Sequence, residues 1–361
     1  MTEDINKTEK TELPKPEASA LPPKKKAKPK AADAVPEVPG LVVSSSPHFL
    51  NTESVPGIMH NVILALLPAC LVSIYFFRFD ALILIVTCLF ACLLTEYLCL
   101  KFRGKPIVIY DGSAAITGIL LALTLPPSFP LYGAVIGSVF AIAIGKQIFG
   151  GLGLNIFNPA LLGRAFLQAT YPVLITTWTE PATIGTVDGV TAATPLALMK
   201  FEGIASDHLT LFFGNTAGSL GETSAVILLL GGLYLRYKGY INWKLPLGYL
   251  GAMALTGAFF YFLDSQKYPD PLFHLLTGGA MLGAWFMVTD MVTTPVTNLG
   301  QWIFAITAGI IAVIIRNLGG LPEGVMYSIL LMNSFVPLLN RWTRPRVFGK
   351  GLTVETKGGT S

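Results

Sequence analysis

From residue 58 onward, apolar stretches alternate with short polar breaks. A hydrocarbon core of about 30 Å takes roughly 20 apolar residues of α-helix. Ten such runs are expected, over 58–77, 81–101, 111–125, 131–149, 159–177, 222–238, 243–263, 272–289, 301–315 and 322–339. The third, sixth and ninth are short for the task. The runs are continuous, without the two-residue alternation of a transmembrane β-barrel. The pattern therefore predicts an all-α polytopic membrane protein.

Composition agrees with the pattern: 52% of the 361 residues are hydrophobic and only 13% charged, with a mean hydropathy of +0.61, against about 25% charged in a soluble domain. The distribution of charge adds orientation. With ten spans and an inner N-terminus, twenty Lys and Arg fall on the inner side. Only Arg78, Lys200, Lys267 and Arg316 fall outside, and Arg164 lies in a helix. That asymmetry places both termini in the cytoplasm of a cell (inner) membrane. The polar N-terminus holds no apolar signal-peptide core, so the first membrane helix is expected to direct insertion.

Residues 1–46 are rich in Lys, Pro, Ala and Glu and include Lys24, Lys25 and Lys26. They are expected to form a disordered cytoplasmic tail, either a solvated stretch that reinforces orientation or one that attracts anionic membrane lipid or an acidic partner. Residues 47–345 form the expected membrane domain and 346–361 a second cytoplasmic tail. Within the membrane domain, GILLALTLPPSFP at 118–130 and GAWFMVTDMVTTP at 283–295 place Gly118, Thr124 and Pro130 at a constant offset from Gly283, Thr289 and Pro295. Each copy lies in one five-helix half, 58–177 or 222–339, and an odd number of helices inverts the second half. Two inverted five-helix repeats with Pro-interrupted helices are one way to build a site near the bilayer midplane; two similar Pro-ended helices are the plainer account. Between the halves runs a long outer loop, 178–221.

Several polar residues fall where ionisable groups are costly. Glu96, Asp111, Asp290 and Glu323 lie within or at the ends of helices. Asp111 and Asp290 sit near the repeated element, as ion-pathway or cofactor contacts or as caps of broken helices. Arg164 has the chemistry to pair with a phosphate or with a buried carboxylate. Asn155 and Asn158 precede its helix as cofactor contacts or as its entry turn and N-cap. Cys88, Cys92 and Cys99 share a helix face, but without a CxxC pair they read as buried thiols rather than a metal site, and no His has ligand spacing. No phosphate-binding GxxxxGK[ST] and no GxGxxG between strand and helix is present, so NADH is expected on a different polypeptide. No nucleic-acid partner is expected.

The outer loop contains DGVTAATPL at 188–196. This string resembles the flavin-attachment motif of the family that unites the RnfD proteins of Rnf complexes with the NqrB proteins of sodium-pumping NADH:quinone reductases. DGSAAITGILLALTLPP at 111–127, KQIFGGLGLNIFNPALLGRAFL at 146–167 and FMVTDMVTTP at 286–295 are similar to further stretches of that family, and the likeness runs over about 46–345. It implies FMN esterified through its phosphate to Thr194, with Asp188 and Thr191 in the same string and Arg164 and Asn158 in the neighbouring motif. The linkage makes the flavin a fixed redox relay on the outer side, and a separate flavin transferase must form it. The resemblance also implies a non-covalent riboflavin, the other members of a multi-subunit membrane complex as partners, and coupling of electron flow between ferredoxin and NAD to sodium or proton movement. The entry sequence SSPHFL is more like the Rnf protein than its quinone-reductase relative. An inverted five-helix repeat also resembles urea-transporter-like channels, which need no redox cofactor.

Overall fold

A computed structural model describes residues 53–181, 191–204, 206–214 and 216–345, all within one compact unit, Thr52–Ser361. Both tails and Asp188 lie outside the described residues.

The first helix, α1 (Val55–Phe102), starts where Ser54 caps the main-chain N–H of Gly57 and Pro56 enters the first turn. Unbroken, its 48 residues would reach about 72 Å, more than twice a hydrocarbon core. It breaks at Arg78 (φ 52°, ψ −129°), the one non-glycine residue with positive φ among the described residues. Its two ends come back to one level. A Cβ on Gly112 would lie 3.4 Å from both Met59 and Ile63, while Ser113 is bridged through Lys146 to Glu96. The chain therefore reverses at Arg78, and α1 comprises two antiparallel arms matching the first two expected runs.

Next come α2 (Ser113–Leu123), α3 (Leu131–Ile142) with a π-helical turn Ala143–Gln147, α4 (Pro159–Thr170) and α5 (Pro172–Thr176). Asn158 starts α4 by accepting hydrogen bonds from Ala160 N and Leu161 N, with Pro159 at the first position. A two-stranded antiparallel ribbon follows, β1 (Trp178–Thr179) and β2 (Thr191–Ala192), with Trp178 opposite Ala192 and Thr179 opposite Thr191. Beyond it lie α6 (Pro195–Glu202), α7 (His208–Phe213) and a 3-10 turn, Leu220–Glu222. The second half holds α8 (Ala225–Tyr237), α9 (Lys244–Leu263), α10 (Pro271–Leu276), α11 (Ala280–Leu282) with a π-helical turn Gly283–Met287, α12 (Asn298–Leu318) and α13 (Val325–Trp342).

Three of these helices, α1, α9 and α12, are long and apolar enough to cross a membrane. α13, with 18 residues, matches its expected run in length but starts three residues later, and the rest are shorter than the expected runs, for local reasons. The eighth run breaks between α10 and α11, where Gly278 (φ 63°) and Gly279 (φ 64°) adopt the left-handed conformation open to glycine. The ninth is longer than expected at both ends; at its start Thr297 caps α12 at Gly300 N and draws three more residues into helix. Among its described residues, the long segment 178–221 carries the ribbon, α6 and α7.

Small residues set the helix spacing, as is usual where helices have no water to escape from. A Cβ on Gly118 would sit 2.9 Å from the Cys88 carbonyl oxygen, and one on Gly309 would sit 2.5 Å from that of Tyr249. The outward faces are apolar: Phe79 and Phe90 on α1 and Leu255 and Phe262 on α9 are all more than half exposed, a surface suited to lipid rather than water. All four cysteines are free.

Gly214 joins that segment to this frame. At φ 104°, ψ −164° it occupies a region open essentially to glycine, and a Cβ would run into the Thr223 carbonyl oxygen. Gly214→Ala is expected to lower stability by about 1–3 kcal/mol. The check is the apparent melting temperature in detergent; an unchanged value would show that the segment shifts freely.

Candidate functional site

Two recesses lie at opposite ends of the first arm of α1. Thr194 marks one of them. The ribbon delivers the chain to α6, and Thr194 is the N-cap, its Oγ1 accepting from Ala197 N at 3.2 Å, with Pro195 at the first helical position. Thr194 is 3% exposed and faces a narrow cleft lined by Leu211, Thr216, Ala217, Glu222, Thr277 and Gly278. The cleft belongs to the Arg78 end of α1, because Ser73 Oγ donates to Leu220 O at 2.5 Å and Phe76 lies against Gly214. Thr191 pairs its backbone in the ribbon, three residues before Thr194.

Two cations outside the cleft hold the elements that line it. Lys200 of α6 donates to the carbonyl oxygens of Arg316, Gly319 and Leu321 at 2.8, 2.6 and 2.8 Å, so the Thr194 helix is clipped to the C-terminal end of α12. A cation there also meets the negative end of the helix dipole. Burial lowers the Lys200 pKa, and the three carbonyls, which favour the charged ammonium, oppose that shift. Arg316 donates to His274 O, Thr277 O and Gly278 O at 2.6, 2.8 and 3.1 Å, holding the break between α10 and α11.

The second recess opens near the start of α1. Its walls include Met59, Ile116, Leu120, Trp285 and Phe286, with Ser113, Lys146, Asn155, Asn158 and Asp290 as polar members. From the level of Met59 to that of Ser73 the arm rises about 21 Å, which sets the separation of the two recesses. Asp290 accepts from Val292 N at 3.2 Å and Thr293 Oγ1 at 3.0 Å. Asp111 accepts from Ser113 N at 3.1 Å and Ser113 Oγ at 2.8 Å, and opens onto an adjoining hollow with Glu96, Lys105 and Gln147. Both carboxylates thus close turns at the ends of broken helices.

Two buried ion pairs brace the frame, the first at the second recess itself. Lys146 Nζ lies 2.6 Å from Glu96 and 2.5 Å from Ser113 Oγ, and Gln147 Nε2 donates to Glu96 at 2.9 Å. Arg164 pairs with Glu323, so of the two partners its chemistry allows, the structure supplies the carboxylate. The two pairs place the α3–α4 end of the first half against α1 and α13. The structure thus gathers Asn158 and Asp290 at one recess and Thr194 at the other, with Asp111 beside the first and Arg164 between them.

Residues 42–349 match the model of the NQR2, RnfD, RnfE family. The chain belongs to that family. It is 48% identical over 317 residues to the D subunit of the proton-translocating ferredoxin:NAD(+) oxidoreductase complex of Clostridium ljungdahlii, covering 85% of this chain and 96% of that protein. It is 50% identical over 313 residues to the D subunit of the Na(+)-translocating ferredoxin:NAD(+) oxidoreductase complex of Acetobacterium woodii, covering 86% and 95%. It is 42% identical over 329 residues to the D subunit of the ion-translocating oxidoreductase complex of Stutzerimonas stutzeri, covering 82% and 93%.

For this member of the NQR2, RnfD, RnfE family, sequence reasoning missed Lys146, Lys200, Glu222 and Arg316. Lys146 and Arg316 were expected as interfacial charges on opposite sides. They are 2% and 3% exposed, which removes one from each side of the charge count and leaves its asymmetry. Lys146 lies inside an apolar run, 131–149, the same signal that singles out Glu96.

Proposed function

We propose that this chain is the RnfD-type membrane component of a ferredoxin:NAD oxidoreductase complex that couples electron transfer to sodium or proton translocation, and that it carries FMN esterified to Thr194. The observation that carries the reading is the 48–50% identity to two proteins named as that component, over 95–96% of their lengths. The relatives named differ between sodium and proton, so the ion is left as either. The NqrB-type component of a quinone reductase is the neighbouring reading within the same family, distinguished by a requirement for quinone.

The residues at Thr194 fit a phosphate ester. Its oxygen already caps α6, and an ester oxygen keeps a lone pair for Ala197 N. A phosphate there meets the positive end of the helix dipole. Thr194 is held between the ribbon and the Lys200 clip, so the tether has a rigid base. The apolar recess with Asn155, Asn158 and Asp290 fits a second, non-covalent flavin, riboflavin: flat aromatic and aliphatic walls with a few polar groups at the rim. Flavin supplies the redox chemistry when bound; the chain supplies position and exclusion of water. Lys146 and Ser113 hold polar groups at the rim of that recess.

The wider arrangement is part of the same reading: ten spans in two inverted halves, 58–177 and 222–339, with both termini in the cytoplasm and the Thr194 segment outside. Support comes from corresponding details of the two copies. Thr124 Oγ1 donates to Leu121 O and Thr289 Oγ1 to Trp285 O, each at the end of a short apolar helix before a Pro-containing turn. The remaining subunits and a flavin transferase are the required partners.

The test is peptide mass spectrometry of the chain purified after coexpression with a flavin transferase. A peptide containing Thr194 that carries FMN is the expected result. An active complex whose Thr194 peptide is unmodified sinks the attachment.

A further inference from the structure

A third recess lies between α6, α10 and α12, beside the Thr194 cleft and sharing Leu196 with it. Its charged lining residues are Lys200, Lys267 and Arg316, and no carboxylate lines it. None of the three cations is in an ion pair among the described residues.

Polar atoms are left over at the same place. His274 is 1% exposed and neither ring nitrogen has a partner; Arg316, 3% exposed, has a free Nε, and Asn317 a free Nδ2. A buried polar atom without a hydrogen bond is costly, so several together around one recess point to a missing ligand. Of these groups the arginine and amide nitrogens are donors only, the Lys267 ammonium likewise, and a neutral imidazole always offers one N–H, while Lys200, its three N–H already on carbonyls, adds its charge. The complementary ligand is rich in acceptors and negatively charged.

We infer that this recess binds a phosphate-class anion. Phosphate offers several acceptor oxygens to diverging donors, as arginine and lysine clusters require. Its position suits a phospholipid headgroup, because Lys267 follows the end of α9, whose last residues Phe262 and Leu263 are exposed and apolar. Tyr268 and Phe273 give the recess apolar walls. Inorganic phosphate presents the same chemistry without acyl chains. An occupant would bridge α6 to α12 next to the Lys200 clip, and so bear on the helix that starts at Thr194. None of this depends on flavin attachment.

The experiment uses the purified, delipidated complex with this chain as wild type, Lys267→Glu or Asn317→Leu. Lys267 is on an exposed turn, so its replacement leaves the fold intact. Native mass spectrometry measures retention of added phosphatidylglycerol against phosphatidylcholine, whose quaternary ammonium the three cations disfavour. Melting is followed in inorganic phosphate against chloride at matched ionic strength. A lipid site gives retention of phosphatidylglycerol that weakens on the order of tenfold in each variant. A free-anion site gives a phosphate-specific rise in melting temperature, lost in each variant, without lipid preference. Equal retention and equal melting in all three proteins overturn the inference.

Discussion

Thr194→Ala is expected to abolish the flavin adduct and Thr194→Ser to retain it, read as flavin fluorescence of the chain in a denaturing gel after coexpression with a flavin transferase. The hydroxyl has two roles, as the site of the ester and as the N-cap of α6. Alanine removes both, and loss of a cap alone costs about 1 kcal/mol. Thr194→Asn separates them, since an amide oxygen caps as well as a hydroxyl but offers no alcohol for the phosphodiester, and it adds no charge beside Glu222. The expected triplet is adduct in serine, none in alanine, and none in asparagine with melting close to that of the wild type. Flavin on the alanine variant would move the attachment to another residue.

Lys146→Met is expected to destabilise the chain by about 3–5 kcal/mol, seen as a fall in apparent melting temperature in detergent. Both partners of the Glu96–Lys146 pair are almost fully buried. Removing the ammonium leaves a carboxylate with Gln147 Nε2 as its remaining hydrogen-bond donor and with Oε2 already lacking a partner. The double variant Glu96→Gln, Lys146→Met is expected to recover most of the loss, because a neutral amide no longer requires a counter-charge. Equal melting of the single and double variants would show that the pair is not a charge-paired unit.

Much of the membrane frame was legible because lipid imposes a single demand, a run of apolar residues. The reversal near Arg78 falls in the gap left between the first two runs. Runs interrupted by backbone geometry were harder to read. Thr277, Gly278 and Gly279 look like three small residues inside an apolar stretch, and only the left-handed glycines and the Arg316 guanidinium that gathers the nearby carbonyls show why the helix stops. The same holds for charge. Arg316 sits at the edge of an apolar run, where a cation in the boundary and a cation buried against a partner have identical sequence, whereas Lys146, inside its run, carries a signal of its own. Thr194 could be singled out by its motif, whose Thr-Pro pair is also the pattern of a helix start, yet nothing in that motif reveals the Lys200 clip, since the clip joins residues more than a hundred positions apart.

The reversal at Arg78 also bears on how the chain enters the bilayer. Arms that close on each other can be released together as a helical hairpin, in which case Arg78 and the neighbouring Asp80 are carried across at its tip. A central Arg or Asp costs about 2.5–3.5 kcal/mol on the insertion scale, while each Leu, Ile, Phe or Val returns about 0.3–0.6 kcal/mol. Each arm contains enough such residues to outweigh one charge. In the proposed orientation, biogenesis would then proceed by a concerted first step in which one charged tip crosses and the later segments follow from it.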